Sequence, residues 1–186
     1  MNFITIPGLY NSGELHWQTK WEQFYPHTSS RVLQQNWEEP VKDDWVGNLN
    51  DHIRQLETST ILVAHSLGCI TAVHWAAEHY CPFVSGILLV APADVETSAK
   101  DCFKTFAPVP LNKLGIPAIV VASMNDPYCA IDRAAKWAAY WGARFVSVGN
   151  KGHINSNSNL GNWEEGLSLM RELEYMSASR QYKYAS

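Results

Sequence analysis

Thr60-Ile61-Leu62-Val63-Ala64-His65-Ser66-Leu67-Gly68-Cys69-Ile70 is the stretch on which the reading of this chain turns. Its first five residues are apolar or β-branched with no polar alternation, which suits a strand covered on both faces. Residues 67–79 are apolar nearly all round, which suits a helix buried against a sheet. The junction, Ala64-His65-Ser66-Leu67-Gly68, matches the pattern G-x-S-x-G with alanine in the first place. In that pattern the serine occupies a tight strand-to-helix turn with a strained backbone, and small flanking residues keep side chains from colliding. Alanine adds one methyl group over glycine, so the turn is expected to survive. Such a turn points the N–H of Leu67 at a developing oxyanion, beside a helix start whose dipole favours negative charge. A plainer reading, a serine capping an ordinary helix, stays open on these residues alone.

Outward from this stretch the same alternation repeats. Residues 3–6, 86–90, 118–122 and 144–148 read as further strands, each stopped by a glycine or proline turn or by a polar run. A weaker run at 31–35 reads as an edge strand. Helical stripes fill the gaps: Leu15, Trp17, Trp21 and Phe24; Trp45, Leu49, Ile53 and Leu56; Ile131, Ala134, Ala138 and Trp141, closed by Gly142; and Trp163, Leu167, Met170 and Leu173. The tryptophan stripes read as core packing. Strands alternating with helices predict an α/β fold, with about six mostly parallel strands and helices on both faces. The chain is expected to form one domain over 1–186, with 177–186 a frayed tail.

Ligands of parallel sheets bind beyond the carboxyl ends of the strands, so the residues that follow the strands carry the functional reading. Asp126 follows the strand at 118–122, in Ser123-Met124-Asn125-Asp126-Pro127. His153 follows the last strand, in Gly149-Asn150-Lys151-Gly152-His153. The chain order Ser66, Asp126, His153 is the order that an α/β-hydrolase fold requires of nucleophile, acid and base. A serine hydroxyl is a poor nucleophile until an imidazole takes its proton, and the imidazole needs a carboxylate to fix its tautomer. Asp94, after the strand at 86–90, is an alternative carboxylate. His65, His16, His27, His52, His74 and His79 read as surface or packing histidines. A second oxyanion donor is expected from Leu9 or Tyr10, in the loop opened by Pro7-Gly8, and Ser12 reads as a cap of the following helix or as a substrate contact.

The composition, 46% hydrophobic and 17% charged, is that of a folded globular chain, and the formal net charge is −4. No Lys/Arg cluster supports a nucleic-acid or acidic-membrane partner. Cys69, Cys81, Cys102 and Cys129 are scattered, without the spacing of a zinc site or a disulfide framework, which suits reduced thiols in the cytoplasm. No apolar run reaches the length of a membrane span, and the first residues lack the pattern of a signal peptide.

The chain also resembles a known family. Pro7-Gly8, Ser12, His16-Trp17-Gln18, Trp21 and Trp45 are similar to the retinoblastoma-binding protein 9-like serine hydrolases. So are His65-Ser66-Leu67-Gly68, Pro108-Val109-Pro110 and Ala122-Ser123-Met124-Asn125-Asp126-Pro127-Tyr128. Trp141-Gly142, Gly152-His153-Ile154-Asn155, Gly161, Trp163 and Gly166 continue the likeness over almost the whole chain. The resemblance implies a compact α/β-hydrolase without a large cap domain, and places the triad on Ser66, Asp126 and His153. Tyr10 stands where relatives more often carry tryptophan. The partner in the family's name does not carry over, because no Leu-x-Cys-x-Glu type motif is present.

The expected activity is hydrolysis of small acyl esters, thioesters or amides through an acyl-enzyme, with no metal or organic cofactor. The expected partner is a small-molecule acyl substrate, and a monomer is compatible with the sequence, which leaves the oligomeric state open. A non-catalytic binding module on the same fold is the alternative, since fold alone does not fix function. Residues 92–116 are too few for a lid domain. Phe103, Phe106, Val109 and Leu111 within them either wall an acyl site or pack on the sheet.

Overall fold

The computed structural model describes residues 2–184. In chain order the elements are β1 (Asn2–Ile6), α1 (Trp17–Phe24), β2 (Ser29–Arg31), α2 (Lys42–Ile53), β3 (Thr60–His65) and α3 (Leu67–Glu78). There follow β4 (Val84–Val90), β5 (Ala118–Ala122), α4 (Ile131–Trp141), β6 (Arg144–Ser147) and α5 (Glu164–Tyr184), with short 3₁₀ turns at Asp101–Phe106 and Ser156–Ser158. The strands form one parallel sheet in the order β2-β1-β3-β4-β5-β6.

The order reverses at β1, and right-handed crossovers then decide which face each helix covers. The step from β1 to β2 runs one way across the sheet, so α1 lies on one face. The steps into β3, β4 and β6 run the other way, so α2, α3 and α4 lie on the opposite face. The side chains record this division. Ile61, Val63, Leu88 and Val90 pack with Trp17 and Trp21 of α1 and with Met170 and Leu173 of α5. Leu62, Ala64, Ile87 and Leu89 pack with Trp45 of α2, Ile70 of α3 and Trp137 of α4. Successive strand residues alternate between two apolar layers, which is why the strands read as unbroken hydrophobic runs.

Several expectations need correction. The edge strand is Ser29–Arg31, displaced toward the N-terminus from 31–35, because the pairing register sets Phe3, Ile4 and Thr5 against Ser29, Ser30 and Arg31. Leu15 and Phe24 are exposed, and α1 buries Trp17, Gln18 and Trp21 instead. The tail expected to fray from Ser177 continues as helix to Tyr184. Ser177 is buried, and its single hydroxyl proton lies within reach of the carbonyls of Ser85 and Leu173. Residues 185 and 186 of that tail lie outside the described residues. Gly142 closes α4 in the left-handed conformation, as its position predicts. Among the described residues no helix is long and apolar enough to cross a membrane.

Candidate active site

The reversal of strand order at β1 opens a crevice beyond the carboxyl ends of β1 and β3. Ser66 stands in it, between β3 and α3, with φ 56° and ψ −122°. A non-glycine residue pays strain for a positive φ, and here the surroundings enforce it. A Cβ on Gly68 would fall 2.1 Å from the Ile6 carbonyl oxygen, and one on Gly8 would fall 2.7 Å from Ser66 Cβ. Both glycines are therefore required where the first loop crosses the turn. The first residue of the pattern is under no such pressure, and Ala64 is accommodated in the core.

The hydroxyl of Ser66 makes no capping bond to α3, which removes the plainer reading of this serine. Its Oγ lies 2.8 Å from Nε2 of His153. The other ring nitrogen, Nδ1, is 2.9 and 3.0 Å from the two carboxylate oxygens of Asp126. A carboxylate only accepts, so Nδ1 carries the proton and Nε2 is left bare toward the serine. Asp126 and His153 are 3% and 8% exposed in their side chains, so the pair is shielded from bulk water. Asp126 Oδ1 also accepts the N–H of Tyr128, which fixes the carboxylate against its own loop. Asp94, the alternative acid, is instead directed at Arg133, 3.3 Å from its Nε.

Donors for an oxyanion come from two loops. The N–H of Leu67, first in α3, and the N–H of Leu9 make no hydrogen bond among the described residues. Gly8 holds that loop against Ser66 and the Leu67 nitrogen. Tyr10 requires a correction, because its N–H donates to the Trp37 carbonyl at 3.0 Å and is not available. Its ring, 64% exposed, lines the cavity mouth instead. Ser12 neither caps the helix nor reaches the cavity. It is buried and donates to Gln18 Oε1, while His16 caps α1.

Residues that the sequence assigns no role, or only packing, position the loops of the site. Ser123 Oγ accepts the Lys151 N–H and Asn125 Oδ1 accepts the Gly152 N–H, so the end of β5 clamps the loop before His153. Trp17 Nε1 donates to the Ile154 carbonyl at 2.8 Å, so a residue expected only to pack also holds that loop. His65 Nε2 donates to the His153 carbonyl at 2.9 Å. Behind the first loop, Arg31 donates to Asn11 Oδ1, the Ser12 carbonyl, Thr19 and Glu22. For Ser123, Asn125 and His65 the available signal is a small polar residue or histidine beside Asp126 or Ser66; Trp17 and Arg31 carry none.

Burial keeps the neighbouring imidazoles neutral. The pKa of His16 is lowered to about 3, chiefly by desolvation, with Arg31 and His153 adding to it. His65 is held well below the ordinary histidine range, again chiefly by burial. Their rings lie 4.7 Å apart, and the His65 ring lies 4.9 Å from that of His153. Neither neighbour competes for the proton that His153 Nε2 is placed to take.

The cavity before Ser66 measures about 500 Å³ and is lined by Leu9, Tyr10, Asp94, Lys100, Tyr128 and Asn155, among others. The two readings of residues 92–116 divide here. Phe103 lines this cavity, Phe106 and Val109 are buried in the core, and Leu111 is half exposed.

The arrangement can take a proton from a serine and hold charge on an oxygen, and comparison with known proteins agrees with that chemistry. Residues 3–172 match the family model described as serine hydrolase. A YdeN-like hydrolase from Pectobacterium atrosepticum is 31% identical, with a TM-score of 0.86 over 95% of this chain and 91% of that one. The ydeN gene product of B. subtilis is 18% identical, with a TM-score of 0.77 over 94% of this chain and all of that one. Est1E from Butyrivibrio proteoclasticus, solved with ferulic acid, is 12% identical, with a TM-score of 0.70 over 93% and 89% of the two chains. The latter two show likeness of fold. No curated protein sequence matches. Family match, fold and chemistry agree: this chain is a hydrolase that belongs to the serine hydrolase family, within the α/β-hydrolase superfamily.

Proposed function

We propose that the chain hydrolyses small acyl esters, thioesters or amides by two-step acyl transfer, as a cytoplasmic, single-domain member of the retinoblastoma-binding protein 9-like branch of its family. One observation carries the reading. His153 bridges Ser66 Oγ at 2.8 Å and the Asp126 carboxylate at 2.9 Å, so base, nucleophile and orienting acid are already in hydrogen-bond contact.

Ser66 attacks the carbonyl carbon while His153 Nε2 takes its proton, and Asp126 stabilises the imidazolium that forms. The N–H groups of Leu67 and Leu9 receive the oxyanion. His153 then protonates the leaving group, and water, deprotonated by the same nitrogen, releases the acid from Ser66. The cavity of about 500 Å³ suits a compact substrate, and among the described residues no lid domain covers it. No contact in the site favours the alternative of a non-catalytic binding module.

The test is labelling with a fluorophosphonate probe, with the adduct located by peptide mass. Labelling on Ser66 that Ser66→Ala and His153→Ala both abolish supports the reading. Folded wild-type protein that takes up no probe refutes it.

A further inference from the structure

The walls of this cavity present donors in excess. Asn11 Oδ1 accepts the Ser12 N–H at 2.7 Å and an Arg31 N–H at 2.9 Å. Asn155 Oδ1 accepts the Asn157 N–H at 3.0 Å. These partners are all N–H groups, so they settle which end of each amide is oxygen. The NH₂ ends of both amides have no acceptor among the described residues, and both side chains line the cavity. Lys100 lines it too, with Nζ 5.6 Å from the centroid of the Tyr10 ring and no carboxylate partner among the described residues. The acidic side chain on the same wall, Asp94, is already opposed by Arg133 and accepts the Glu96 N–H. Arg133 also pairs with Glu96, so two carboxylates share one guanidinium, and Lys100 is the cation on this wall that no carboxylate pairs among the described residues. The mouth of the site thus holds a lysine without a carboxylate partner and amide N–H donors without an acceptor among the described residues.

We infer that the enzyme selects substrates that carry a carboxylate a few atoms from the scissile carbonyl, received by Lys100 with the side-chain amides of Asn11 and Asn155. This inference rests on the proposed hydrolysis at Ser66. A carboxylate offers two oxygens and about four lone-pair sites, so it satisfies several such donors together. A neutral alkyl chain in the same place strands them.

The test is the ratio of kcat/KM for matched esters. With the anion on the acyl side, the pair is an aryl hemiglutarate and the same aryl pentanoate. With the anion on the leaving group, the pair is the acetate of 4-hydroxyphenylacetic acid and the acetate of its amide. The expected result is a preference of about tenfold for the anionic member of at least one pair, since charge-assisted bonds of this type discriminate on that order. That preference narrows as salt is raised from about 0.05 to about 0.5 M, because the lysine is exposed to screening. In Lys100→Met the ratio falls toward one, and in Lys100→Glu it inverts. Wild-type protein that hydrolyses both members of both pairs at similar rates overturns the inference and leaves the proposed hydrolysis standing. So does a preference that survives intact in Lys100→Glu. Absence of both fluorophosphonate labelling and ester hydrolysis in folded protein overturns both.

Discussion

Acidification should unfold this protein through its buried neutral histidines, and His16 lets the size of the effect be worked out. His16 is 3% exposed, and its pKa is lowered from 6.5 to about 3 by burial, with Arg31 and His153 contributing. Above its unfolded pKa of about 6.5 the group is neutral in both states and costs nothing. Between about pH 6.5 and 3 the unfolded chain holds a proton that the folded chain refuses, so stability falls by about 1.4 kcal/mol per pH unit. By pH 5 the loss is about 2 kcal/mol from this residue, and it levels off below about pH 3. His65 is lowered in the same direction and adds to the loss over the same range. Asparagine at position 16 keeps a capping oxygen for the Gln18 N–H but cannot titrate. Urea unfolding followed by tryptophan fluorescence, at pH 7.5 and pH 5, compares the wild type with His16→Asn. Carboxylate effects are common to both proteins and cancel. The wild type is expected to lose about 2 kcal/mol more than the variant between the two pH values. Equal losses, within about 0.5 kcal/mol, would show that His16 is not buried in neutral form and would refute the reasoning.

Three further outcomes follow from the geometry. Asp126→Asn leaves the fold in place but cannot hold His153 in the required tautomer, so kcat for a small aryl ester should fall by about 10⁴, measured under saturating substrate. His65→Leu removes the donor to the His153 carbonyl and should lower kcat/KM about tenfold or more, whereas glutamine, which supplies an amide N–H, should restore much of it; equal losses in both variants would exclude a positioning role. Gly68→Ala places a methyl group 2.1 Å from the Ile6 carbonyl oxygen, a backbone atom that cannot swing aside, so a loss of several kcal/mol is expected in thermal or urea unfolding.

Much of the architecture is legible in the sequence. Strands 3–6, 60–64, 86–90 and 118–122 read correctly because a strand buried on both faces leaves an unbroken apolar run, and that signature is local. The same logic places Ser66, Asp126 and His153 at one edge of the sheet. In a parallel sheet the residues that follow the strands emerge at one edge, so their placement follows from strand order alone. The weak edge strand was misplaced, since it is short and half exposed and its register is set by β1 rather than by its own pattern. Leu15 and Phe24 were assigned to the buried face of α1 by spacing, but that helix is short and its buried stripe is narrow.

What the sequence by itself determined was the succession of elements and the placing of Ser66, Asp126 and His153 just beyond strand ends, because both depend on periodicity and order along the chain. The tertiary structure alone decided which N–H groups stay free. Tyr10 lost its expected role to the Trp37 carbonyl, a partner distant in sequence and adjacent in space. It alone decided that Asn11 turns its oxygen toward Arg31, that Lys100 lies beside the Tyr10 ring with no carboxylate partner among the described residues, and that His65 holds the loop of His153. Hydrogen bonds and charge pairs of this kind join segments that no local pattern relates, so they exist only once the sheet has brought its loops to one edge.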